Sequence, residues 1–188
     1  MADFHLNGNF QQITIDPTAH VELGQDITLR SFVCLEVGNG ATLKLGNRVF
    51  FNNHCSIRCE HHIEIGKDTM FGDGVRFFDH NHQYSNYHVE IIVFNYGKIS
   101  IGKNCWIGAN VVILKGVTIG DNVIIGAGAV IHKDIPSNSI VVSKEELIIK
   151  ERPQLEHHVF TLTASDTLEN LTYLVENLPE VSFHIAAK

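Results

Sequence analysis

Residues 101–136 read IGKNCW, IGANVV, ILKGVT, IGDNVI, IGAGAV, IHKDIP: six blocks of six. Isoleucine recurs at 101, 107, 113, 119, 125 and 131. Four places after each stands a small or apolar residue: Cys105, Val111, Val117, Val123, Ala129 and Ile135. A period of six fits neither an α-helix nor a flat alternating strand over this length. It fits a chain that turns a corner every six residues, so that three sides close a triangular coil. The isoleucines fill the prism, the small residues sit inside the corners, and Gly and Asn supply permissive backbone angles at the turns. Stacking such coils through parallel ladders gives one continuous core.

Weaker copies precede this run. LGQDIT and LRSFVC begin at Leu23 and Leu29; LGNRVF, FNNHCS and IRCEHH begin at Leu45, Phe51 and Ile57; IGKDTM and FGDGVR begin at Ile65 and Phe71. Their register slips from the ideal 18, which reads as small bulges or loops at the corners. The expected solenoid runs from about residue 12 to 142, within a first domain of residues 1–150. It is interrupted once, by an extruded loop over 79–98. The fold class is all-β, a left-handed parallel β-helix with one protruding loop. Residues 151–188 lose the hexads. Leu168, Leu171, Val175 and Leu178 share a helical face and VSFHIAA reads as a strand, a small α/β extension.

The formal net charge is −7 without a dense Lys/Arg block, which argues against nucleic acid as a partner. No apolar run approaches the roughly 20 residues of a membrane span. The N-terminus MADFHLNGNFQQ has neither a basic nor an apolar leader region, so a cytoplasmic protein is expected. Four cysteines at 34, 55, 59 and 105 are expected to be reduced, and their spacing is poor for zinc.

The interruption, FDHNHQYSNYHVEIIVFNYGK, carries Asp79, His80, His82 and His88. An insertion in a solenoid lies outside the prism, where function concentrates. Histidine is suited to proton exchange near neutral pH, and Asp79 or a backbone carbonyl would fix a ring's tautomer. Three readings stay open on these residues alone: a general base, a metal site built on H-x-H, or a polar loop.

The stretch CWIGANVVILKGVTIGDNVIIGAGAVIHKDIP, Cys105–Pro136, resembles the hexapeptide-repeat acetyltransferases, above all the galactoside, maltose and xenobiotic O-acetyltransferase group. The resemblance runs from about Phe51 to Pro136. It implies acetyl-CoA as co-substrate, a sugar or glycan acceptor, no required metal, and a homotrimer with its sites between subunits. The family's catalytic histidine falls on His82, with His80 as helper or bystander beside Asp79. Its tryptophan near the thioester falls on Trp106, and its acceptor contacts fall on Asn52 and, in a departure, Glu60. Its pantetheine contacts fall on Ala109 and Ala127, one coil apart. His132 and Lys133 fall near the adenine and phosphate end, and Lys150 is the replacement charge after a departing C-terminal sequence. Without the resemblance, packing or solvation is the first reading for all of these but His82. Rival functions are nucleotide-sugar N-acetylation, a γ-carbonic-anhydrase-like zinc site drawn from His54, His61, His62, His80, His82 and His88, and a non-catalytic assembly solenoid.

Overall fold

Six residues per side leave room for one or two inward side chains, and the corners they demand are visible in the backbone. The computed structural model describes residues 4–85 and 87–143. The first coil holds β1 (Phe4–Leu6), β2 (Gln12–Ile15) and β3 (His20–Leu23); the second holds β4 (Ile27–Leu29), β5 (Cys34–Val37) and β6 (Thr42–Leu45). The third holds β7 (Phe50–Phe51), β8 (Ser56–Cys59) and β9 (His62–Ile65). In the fourth, β10 (Met70–Phe71) and β11 (Arg76–Phe78) are separated from β14 (Ile99–Ile101) by a hairpin of β12 (His80–Tyr84) and β13 (Val89–Tyr96). Then follow β15 (Trp106–Ile107), β16 (Val112–Leu114) and β17 (Thr118–Ile119), then β18 (Ile124–Ile125) and β19 (Val130–Ile131), and β20 (Ile140–Val141) opens a seventh coil. Ile135 completes the sixth by pairing with Ile119.

Every third strand stacks in parallel, giving a first face of seven strands, a second of six and a third of five. The result is a left-handed parallel β-helix. The inward columns are the isoleucines expected from the hexads: Ile101, Ile107, Ile113, Ile119, Ile125 and Ile131 are all buried, as are Cys105, Val111, Val117, Val123 and Ala129. Lower down, Phe51 and Phe71 stack at 4.8 Å and Phe77 meets both edge-on. Such aromatic pairs add about 0.5–1.5 kcal/mol each beyond their area.

Two expectations need correction. The solenoid already includes β1, which pairs with β4, so it begins at least at Phe4 rather than near residue 12. The register slips are not scattered. From the second coil upward, equivalent inward residues are six apart from the first face to the second and from the third back to the first, as in Leu29 to Leu35 and Leu45 to Phe51. From the second face to the third the spacings run ten (Ile13 to Leu23), ten (Leu35 to Leu45), eight (Ile57 to Ile65), 24 (Phe77 to Ile101), six (Ile113 to Ile119) and four (Ile131 to Ile135). The extra residues are mostly longer strands that add inward side chains: Val37 and Leu43 in the second coil, Cys59 and Ile63 in the third. The prism is therefore wider at its lower end, and the hairpin leaves from this one variable corner.

Corner residues adopt left-handed backbone angles. From the third face to the first these are Asp26, Arg48, Asp68, Asn104, Asn122 and Asn138, with φ between 55° and 61°. From the first to the second they are Phe10, Phe32, His54, Gly74, Asn110 and Gly128. This conformation costs bulky side chains about 1–2 kcal/mol each, so two phenylalanines there are unusual.

Candidate functional site

The hairpin is where chemistry-bearing side chains leave the prism. In β12, His80 and His82 are two residues apart and share a face; on β13 Tyr96 and Phe94 stand opposite them. Phe94 lies between the two imidazoles, 4.9 Å from each. His82 is exposed, and its Nδ1 lies 2.9 Å from the Glu90 carbonyl oxygen. A carbonyl only accepts, so Nδ1 carries the proton and Nε2 is left with a free lone pair. This is the arrangement a general base requires.

Asp79 does not orient that ring. It is 0% exposed and continues the inward column above Cys59. Its Oδ1 accepts from the Glu60 N–H at 2.9 Å, and its Oδ2 accepts from the His61 and His62 N–H groups, both at 2.8 Å. His80 Nδ1 lies 3.0 Å from Oδ1, and the His80 side chain is only 14% exposed. The carboxylate thus ties the tight turn of the third coil to the root of the hairpin. The expectation that Asp79 contacts an acceptor is corrected by this burial: it has no open oxygen to offer. The same charge, after desolvation, helps push the Cys59 thiol up to about 12, and burial pushes Cys55 to about 11. Cys105 is raised by burial as well, so these thiols serve as packing rather than ligands or nucleophiles.

Glu60 sits beside this cluster, half-buried, its carboxyl in the space a Gly38 side chain would take. Desolvation raises its pKa, opposed by His80. His61, 5.6 Å from Tyr96, belongs to the same corner. Among the described residues of one chain, no three His, Cys, Asp or Glu side chains converge as a metal site.

The second group lies at a different corner. A groove of about 440 Å³ runs along the upper first face, lined by Trp106, Ala109, Ala127, Asp73, Ile124 and Val142 among others. Trp106 is 54% exposed at its floor. Close stacking forces small residues here: a side chain on Gly108 would come within 2.6 Å of the Ala127 nitrogen. The N–H groups of Trp106 and Gly108 donate to the Val123 and Ile125 carbonyls of the next coil and are therefore spent. Asn52 reaches the groove's edge through Asp73, to whose Oδ2 it donates at 3.0 Å, while Asn53 donates to Oδ1 at 2.9 Å. Sequence reasoning missed Asp73 and Asn53; their signal is visible only as proximity across 20 residues.

The structure thus gathers Trp106, Ala109, Ala127 and Asn52 at the first-to-second corner, and Glu60, Asp79, His80 and His82 at the second-to-third. His132 and Lys133 are exposed just beyond β19, on the corner that bears the hairpin rather than in the groove lining. Lys150 and the helix–strand extension lie outside the described residues.

The family pattern described as bacterial transferase hexapeptide (six repeats) matches residues 98–133. A Staphylococcus aureus (strain Mu50) protein provisionally named an acetyltransferase is 36% identical over 112 residues, 60% of this chain and 56% of its own length. Escherichia coli (strain K12) WbbJ, provisionally named a lipopolysaccharide-biosynthesis O-acetyltransferase, is 26% identical over 140 residues, 70% of this chain and 71% of its own. Over these stretches the chain is similar to hexapeptide-repeat acetyltransferases. It spans little more than half the length of the staphylococcal relative. Among solved folds, the Bacillus cereus N-acyltransferase AntD, crystallised as a point mutant with dTDP-4-amino-4,6-dideoxyglucose and coenzyme A, superposes with a TM-score of 0.56. That match is at 16% identity and covers 77% of this chain and 83% of AntD, so it speaks for the β-helix alone. No helix among the described residues is long and apolar enough to cross a membrane.

Proposed function

We propose that this hexapeptide-repeat protein is an acetyl-CoA-dependent O-acetyltransferase acting on a sugar or glycan hydroxyl, with His82 as general base. The observation that carries the reading is the His82 ring itself, exposed on an extruded hairpin with Nδ1 committed to the Glu90 carbonyl. His82 Nε2 takes the proton from the acceptor hydroxyl as that oxygen attacks the acetyl carbonyl, and returns it to the departing sulfur. Acetyl-CoA supplies the activated acyl group. The groove suits its arm: an apolar floor of Trp106 and Ile124, with Ala109 and Ala127 leaving backbone accessible one coil apart. With Trp106 and Gly108 N–H groups spent, the Ala109 N–H is the candidate oxyanion donor.

The site is split between two corners, which supports a homotrimer with shared sites. In a cyclic trimer the contact is heterologous: one patch of a subunit meets a different patch of the next. The groove corner of one prism and the hairpin corner of its neighbour are such a pair, and His132 and Lys133 on the latter corner then face the phosphate end. The exposed apolar residues of the hairpin, Val89, Ile91, Ile92 and Val93, gain cover in the same contact. WbbJ's name favours a hydroxyl acceptor in a surface glycan.

The test is acetyl transfer from acetyl-CoA to mono-, oligo- and nucleotide-sugars, read by mass spectrometry. His82→Ala lowers turnover about 10²–10⁴-fold with the trimer intact; unchanged turnover sinks the assignment. Acetylation of an amino sugar instead of a hydroxyl moves the reading to N-acetylation, and near-stoichiometric zinc in the purified protein moves it to a metalloenzyme.

A further inference from the structure

At the first-to-second corner the three lowest coils carry Phe10, Phe32 and His54, with φ of 61°, 60° and 61°. Higher on the same corner stand Gly74, Asn110 and Gly128, residue types at ease in that conformation. The three rings stack in register. Phe10 and Phe32 lie 5.4 Å apart at 14°, and Phe32 and His54 lie 4.8 Å apart at 1°. Nothing in the described chain covers them: Phe10 is 77% exposed and Phe32 48%. The core does not need these rings, and the backbone is strained to present them.

The ladder is also placed. It ends one residue from Asn53 and two from Asn52, whose carboxamides hold Asp73 at the groove's edge. Above His54 no fourth ring follows; a side chain at Gly74 would come within 2.5 Å of the Asn110 carboxamide oxygen. An apolar aromatic ridge therefore runs down the corner from the place where the acceptor is expected, flanked in sequence by amides: Asn9, Gln11, Asn52 and Asn53.

We infer that Phe10, Phe32 and His54 form a docking strip for the outer sugar units of an extended glycan acceptor, beyond the unit that is acetylated. This rests on the transferase reading and specifies its substrate: a chain of sugars rather than a single sugar or a nucleotide sugar. Sugar units offer C–H patches to aromatic surface and hydroxyl edges to amides and carboxylates. Asp73 at the head of the strip suits a hydroxyl and repels a pyrophosphate, which sets a nucleotide at a disadvantage. The ridge covers two coil rises, roughly 10 Å at the usual strand spacing, enough for more than one sugar unit.

The experiment uses chito-, cello- and xylo-oligomers, each from single sugar to tetrasaccharide, with wild type and the F10N/F32N double variant. Asparagine keeps the left-handed turn and removes the rings, so the fold is preserved. Wild type is expected to show KM falling with chain length. In the variant the tetrasaccharide loses about tenfold of that advantage over the single sugar, as two modest aromatic contacts predict. Equal length dependence in both proteins overturns the proposal. So does a variant whose light-scattering mass falls below the wild-type oligomer, which makes the ridge a subunit contact, or a nucleotide diphosphate that binds wild type but not the variant. Calorimetry separates the two readings. Length-dependent oligosaccharide binding lost in F10N/F32N, without acetyl transfer in either protein, keeps the strip and sinks the transferase; acetylation of single sugars without length dependence does the reverse.

Discussion

Replacing Asp79 by Asn tests whether the hairpin is held by one buried carboxylate. The change preserves shape and removes the charge. In the native arrangement Oδ1 faces the Glu60 N–H and His80, while Oδ2 faces the His61 and His62 N–H groups. An amide nitrogen must replace one of these oxygens. Placed at Oδ1 it confronts one backbone donor, and His80 must switch tautomer; placed at Oδ2 it confronts two. At least one N–H is orphaned, at about 1–3 kcal/mol, and the surviving bonds drop from charged to neutral strength, from about 1.5–3 to about 0.5–1.5 kcal/mol each. The expected cost is about 3–5 kcal/mol, localised to residues 60–62 and the hairpin root. Hydrogen exchange on the intact protein reads it directly: amides of Glu60, His61 and His62 lose about a hundredfold or more in protection. Turnover falls too, because the platform beneath His82 loosens, whereas acetyl-CoA affinity at the groove stays unchanged. If those three amides exchange as in wild type and D79N melts within about 0.5 kcal/mol of it, the carboxylate is not the anchor.

Three further outcomes follow from the same geometry. Co-expressing H82A and W106A subunits with different tags restores activity in purified mixed trimers to about a third of wild type if each site takes its histidine and tryptophan from different chains; activity no higher than either parent places both in one chain. Thiol titration of native protein at mild alkaline pH labels the half-buried Cys34, while Cys55, Cys59 and Cys105, buried and with raised pKa values, react only on unfolding; rapid labelling of all four thiols contradicts the burial. Glu64 is held below the ordinary carboxylate range, first by the Lys98 ammonium at 2.8 Å. Its contribution to stability is present above the unfolded-state pKa and is lost as pH falls through the lower folded-state one. Both groups are half exposed, so screening keeps the effect of Lys98→Ala below about 1 kcal/mol, visible as a shallower acid limb in a melting series and absent at high salt.

The upper prism is legible because each inward isoleucine there is alone on its side, so the period of six survives in the sequence. Lower down, the second-to-third corner takes paired inward residues, Leu35 with Val37 and Leu43 with Leu45. Those pairs read as ordinary strand alternation and hide the turn between them; only the ladder pairings, His20 with Thr42 and Cys34 with Ser56, reveal a coil of 22 residues. The same effect hides the aromatic ridge, since Phe10, Phe32 and His54 recur at 22 and not at 18. Asp79 is misread from sequence for a related reason: its partners are N–H groups 17 to 19 residues earlier, brought beneath it by stacking and carrying no side-chain signature. His82 is legible by resemblance, yet its partner carbonyl belongs to Glu90, eight residues on in β13 and not in the position paired with it, which no motif encodes. A solenoid converts sequence distance into height, one coil at a time. Its functional groups are therefore found by adding whole coils to a residue number, and wherever coil length changes, the sequence alone points one coil wrong. From the second coil upward all of that change is confined to the corner that also extrudes the hairpin, while the groove lies on the other corner, where the spacing is constant and the register is kept.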